Sequence, residues 1–152
     1  MTATLAASIE AILDGLVSAI QAQVNAPATP LGQQGILAVV RGDRARPMPA
    51  LPSIWVVPQI AMFSQHEFDA ETWAMPVSLA ALVKSDDPAA GGTSAQTIAA
   101  LARTAALTAR PSGAEIIDIR SQSYDPTARS SERNRTLFWT DAIILVTFSV
   151  SG

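Results

Sequence analysis

The run TLFWTDAIILVTFSV near the C-terminus constrains this chain more than any other segment. Read with a period of two, Phe138, Ala142, Ile144, Val146 and Phe148 fall on one face, and Leu137, Trp139, Ile143 and Leu145 on the other. A half-buried strand alternates apolar with polar; this one is apolar on both sides. A central strand, or one covered by a neighbouring subunit, satisfies that pattern.

A second strand shows the complementary pattern. In TWAMPVSLAALVKS, Trp73, Met75, Val77, Leu79, Ala81 and Val83 alternate with Thr72, Ala74, Pro76, Ser78 and Ala80. The alternation predicts a strand over about residues 72–84, with Pro76 at an edge or a bulge because proline cannot donate to a ladder. Shorter β-branched runs predict strands over about 36–41 and about 53–60 (SIWVVPQI). AEIIDIRSQSY, at about 114–124, and the last run, at about 136–150, form a hairpin by proximity.

Two helices complete the pattern. Leu5, Ile9, Ile12, Leu13, Leu16, Val17, Ile20 and Val24 make one stripe at spacings of three and four, predicting a helix over about 4–25 that NAPATP ends. A second helix is expected over about 93–110, capped by Thr93 or Ser94, with Ile98, Leu101, Ala102, Ala105 and Leu107 inward and Pro111 and Gly113 closing it. Its alanines allow close approach to a sheet. Helices separated by groups of strands predict an α+β fold: a mainly antiparallel sheet of about four to five strands covered by two helices, as a single domain over residues 1–152.

Composition narrows the function. Apolar residues make up 49% of the 152-residue chain and charged residues 15%, against roughly 25% charged in a typical soluble domain. Much of the surface is therefore neutral or apolar, and partner subunits often cover such surfaces. The expectation is an oligomer. A net charge of −3 argues against a general nucleic-acid binder, which needs surplus Lys and Arg. The absence of cysteine removes disulfides, thiol nucleophiles and thiolate metal sites. No uninterrupted apolar run approaches the roughly 20 residues that span a bilayer, and Glu10 and Asp14 interrupt the first helix's pattern. No membrane partner is expected, and synthesis in the cytoplasm is.

Little in the chain supports catalysis. The single histidine, His66, sits in FSQHEFDAE, which reads as a solvated acidic turn rather than a metal or acid–base cluster. No serine has a G-x-S-x-G context. AAGGTSA could offer backbone N–H groups to an anion at a helix start, but it lacks both phosphate-loop signatures and reads as a turn and cap. Asp86 and Asp87 before Pro88 read as a turn. No catalytic, metal or cofactor residue is assigned, and no cofactor is expected. The arginines remain: Arg41, Arg44 and Arg46 in an early loop, and Arg129, Arg133 and Arg135 in YDPTARSSERNR, the connection before the last strand. Asp43, Asp125 and Glu132 dilute them. Three uses compete: solvated loops, salt bridges to an acidic protein surface, and phosphate contact. Because the guanidinium fork pairs carboxylates bidentately, all six are interface candidates.

The order of these segments resembles a known family. An amphipathic N-terminal helix, strands with PSIWVVP, a long strand ending VKSDDP, a Gly-capped alanine-rich helix and a closing hairpin ending VTFSVSG are similar to the tail terminator (tail completion, neck) proteins of tailed bacteriophages. The likeness spans nearly the whole chain and rests on architecture, without a diagnostic motif. It implies a non-enzymatic virion protein, made in the host cytoplasm, that forms a homo-oligomeric ring, commonly a hexamer, at the head-proximal end of the tail tube. The ring would end tube polymerisation and join tail to head. Its partners would be the tail tube protein and a head-completion or connector protein, with DNA only passing through the lumen. The family offers no catalytic residue to carry over. Two other readings stand beside it: another phage head-completion or baseplate adaptor, and a small ligand- or nucleic-acid-binding domain.

Overall fold

In the computed structural model, which describes residues 4–44, 49–67, 69–111, 114–122 and 137–151, helix α1 (Leu5–Val24) starts at Thr4, whose hydroxyl accepts the Ala7 N–H. Its stripe is the expected one, with Ile12, Leu13, Leu16 and Ile20 fully buried. By length and composition α1 could cross a membrane; here its apolar stripe lies in the core. A 3-10 turn at Leu31–Gln33 then leads to β1 (Ala38–Arg41) and β2 (Ser53–Pro58), which run parallel.

The sheet has six strands against the four to five expected. The additional strand is β3 (Met62–Glu67), which forms a tight hairpin with β4 (Ala70–Lys84). His66 therefore lies on a strand, opposite Glu71, and not in an acidic turn. The run SQHE offers no apolar alternation to mark a strand, and β3 shows itself only in its ladder to β4. β2 and β3 lie end to end along the same side of β4, with Gln59–Ala61 between them. Pro76 is placed at that break: Gln59 N–H donates to the Pro76 carbonyl, so the missing proline N–H also faces the gap between β2 and β3.

Helix α2 (Pro88–Thr108) begins about a turn earlier than expected. Asp87, not Thr93 or Ser94, is the cap; its carboxylate accepts the Ala89 N–H, and Pro88 occupies the first turn, where a missing N–H costs nothing. The two glycines of AAGGTSA thus lie inside the helix rather than in a turn before it. Gly91 has a packing reason: a Cβ there would meet the Phe138 ring at 2.4 Å. Strands β5 (Glu115–Gln122) and β6 (Leu137–Ser151) are the antiparallel closing pair.

The strand order is β1-β2-β4-β6-β5, with β3 on β4, and all pairings except β1–β2 are antiparallel. α1 packs over β1 and β2, and α2 over β4, β6 and β5. Both cover one face: Ile54 and Val56 of β2, Val77, Leu79 and Ala81 of β4, and Ala142, Ile144 and Val146 of β6 are buried with the helices' inward residues. The fold is α+β, a mixed, mostly antiparallel sheet under two helices.

Two substitutions test this core. Gly91→Ala gains about 1 kcal/mol of helix propensity but forces Phe138 aside, at an overpacking cost of about 1–3 kcal/mol. Net destabilisation in a urea titration is the expected result. Thr140 is 1% exposed and its hydroxyl has no hydrogen-bond partner. Thr140→Val keeps the shape and removes that group, so unfolding should require about 1 kcal/mol more.

Candidate interaction surfaces

The described arginines begin with the early cluster. Arg41 ends β1 on the helix side of the sheet, and its side chain is 7% exposed. A buried guanidinium needs acceptors for its whole fork, and three carboxylates supply them. Its Nη1 donates to Glu10 Oε2 at 2.7 Å and to Asp14 Oδ1 at 3.3 Å, both from α1. Nη2 and Nε donate to Asp43 at 2.8 and 3.2 Å. Arg44, more than half exposed, donates to Glu10 Oε1 at 2.7 Å.

This arrangement joins α1 to the β1 end and leaves three carboxylates against two guanidinia. Arg41 bonds hold the Glu10 carboxyl below the usual carboxylate range; burial opposes them, and Arg44 adds to them. The Glu10 bond in turn raises Arg41 further above its already high value. Arg41 is therefore occupied within its own chain, and Arg44 is the described arginine of the early cluster whose side chain also reaches solvent. Arg46, Arg129, Arg133 and Arg135 lie outside the described residues. Sequence reasoning grouped Arg41 with its neighbours in a loop. The signal that separates it was present: Glu10 and Asp14 sit four residues apart, on one side of the first helix.

The second surface is the sheet face that no described helix covers. On it β4 presents Ala74, Pro76, Ser78, Ala80 and Leu82; β2 presents Trp55 and Val57; β6 presents Trp139, Ile143 and Leu145. The small residues of β4 form a floor between two apolar walls, with Ser78 and Ala80 buried and Trp139 40% exposed. Asp141, opposite Ala80, is the acidic group on this stretch of β6. Partial burial raises its carboxyl above the usual range, and the Ser78 hydroxyl, donating to it, partly offsets that. The doubly apolar pattern of β6 is thus resolved: one face lies under α2, and the other is half-exposed.

Nothing among the described residues assembles a catalytic constellation or a group of three or more His, Asp and Glu suited to a metal. A small indentation lined by Leu107, Arg110, Glu115 and Ile116 holds one cation and one carboxylate and no nucleophile. No protein-family model matches the chain, and no curated protein sequence matches it.

Arg41→Ala should destabilise the fold by about 2–3 kcal/mol, less than a fully buried pair because its carboxylate partners are partly exposed. Arg41→Lys, which cannot reproduce the fork, should recover only part of the loss. The depressed Glu10 carboxyl sets the pH sign. Its contribution is complete above the ordinary unfolded value of about 4.3 and is lost as pH falls through the lower folded value. Thermal melts from pH 6 to pH 3 should therefore show a steeper acid decline in wild type than in Arg41→Ala.

Proposed function

We propose that this chain is a non-enzymatic structural subunit that works as a homo-oligomeric ring, in the manner of the tail terminator proteins it resembles. In that reading the ring sits on the head-proximal end of a phage tail tube, stops its growth and presents a docking face to the head connector. The observation that carries the proposal is the sheet face that no described helix covers, bearing Trp55, Leu82, Trp139, Ile143 and Leu145. A monomer rarely leaves such a contiguous apolar surface to water, and a chain with 15% charged residues has few charges elsewhere to compensate.

The architecture fits the role. A subunit contacting its neighbour through two different surfaces closes into a ring when the rotation per subunit permits. Arg44, and the arginines of the connection before β6, are the side chains assigned to acidic surfaces of neighbouring or partner proteins. DNA would pass through the lumen without a dedicated binding site, consistent with the acidic balance of −3.

Light scattering on a size-exclusion column, followed by negative-stain microscopy, should show discrete rings that cap the ends of purified tail tubes. Trp139→Glu should disperse them into folded single chains with an unchanged far-UV spectrum. A wild-type protein that stays monomeric across a wide concentration range rejects the proposal.

A further inference from the structure

Two surfaces of this subunit complement each other. The first is the sheet face that no described helix covers, where the small side chains of β4 form the floor of a trough. The register sets Trp55 opposite Ala80, Val57 opposite Ser78 and Met62 opposite Ala74, so β2 and β3 together build one wall. β6 builds the other, with Ile143 opposite Ser78 and Leu145 opposite Pro76. Met62 is 60% exposed and Trp139 40%, so both walls present apolar surface to water. They stand on strands two spacings apart, about 10 Å, which is close to the width of a helix that presents small side chains.

The second surface is the outward side of α2. Thr93, Thr97, Thr104 and Thr108 are exposed there. With Ala100 they recur every three or four residues, opposite the buried alanines that face the sheet. The Thr97 and Thr104 hydroxyls donate to the helix's own Thr93 and Ala100 carbonyls, at 2.9 and 3.1 Å. Another surface can therefore cover them without stranding a donor.

Length and charge agree as well. The floor from Ala74 to Ala80 runs about 20 Å at the rise of a strand, and the stripe from Thr93 to Thr108 about 22 Å at the rise of a helix. Asp141 lies on the trough wall, opposite Ala80. A helix brought over it must not add a second carboxylate, and α2 has none between Pro88 and Thr108; its single charge, Arg103, is positive and flanks the stripe. The inward alanines of α2 already show how closely this helix approaches a sheet, since they pack on β4 and β6 of their own chain.

We infer that the trough is a docking site whose occupant is helix α2 of a second copy of this chain, seated by its threonine stripe. The contact is heterologous: each copy gives its helix to one neighbour and its sheet face to the other, and α2 ends between two sheets. This inference rests on the ring reading and deepens it by naming the two surfaces, and its test separates the two.

The double variant Thr97→Glu, Thr104→Glu places charges on exposed positions, and glutamate is a better helix former than threonine. The fold should keep its far-UV spectrum and melting temperature, while light scattering should show loss of the assembly to the mass of one chain. A double variant that assembles like wild type overturns the inference and leaves the ring reading intact; a monomeric wild type removes the ring reading and the inference with it. Mixing supplies a second measurement. Trp139→Glu chains keep α2 intact, and the double variant keeps its trough intact, so the mixture should form a dimer of one of each and nothing larger. A mixture that stays monomeric overturns α2 as the occupant.

Discussion

β4 and β6 pair along their full length, from Ala70 opposite Ser151 to Lys84 opposite Leu137, and every other element takes its position from that ladder. β2 and β3 share the far side of β4, and β5 takes the far side of β6. Because strand side chains alternate strictly, one register sets two faces at once. A slip of one residue would carry Val77, Leu79, Ile144 and Val146 out of the core. The register is held by this all-or-none exchange of apolar for solvent-facing side chains.

The two faces have opposite characters. On the helix side the close approach of α2 depends on small residues: Ala95, Ala99, Ala102, Ala105 and Ala106 are all buried, and Gly91 abuts Phe138. α1 is fastened at its edge by a charged cluster, in which Arg41 is enclosed by carboxylates from the helix and from the turn after β1. On the uncovered side the sheet keeps a small-residue floor between tryptophan- and aliphatic-lined walls, with one carboxylate hydrogen-bonded by Ser78. The proposed ring uses the apolar face of this side.

Much of the architecture was legible because its signals are periodic. The α1 stripe, the alternation of β4 and the doubly apolar β6 each specify an element and its inward residues. At the start of α2 two rules compete: Asp87–Pro88 is a strong helix start, but the glycines after it read as a turn. The compensation for those glycines, the Phe138 ring, lies nearly fifty residues away in sequence, beyond any local pattern. β3 is not legible because its two apolar residues, Met62 and Phe63, are adjacent and followed by SQHE, which leaves no period-two apolar signal.

From the sequence alone came the α+β class, the inward stripes and the scarcity of charge, since each depends on composition or on spacing within one element. Only the tertiary structure decided which of the described arginines is enclosed, which face of β6 lies under α2 and which strands end the sheet among the described residues. Those properties are relations between segments far apart in the chain. Glu10 and Arg41 acquire meaning together only once the strands have been put in order.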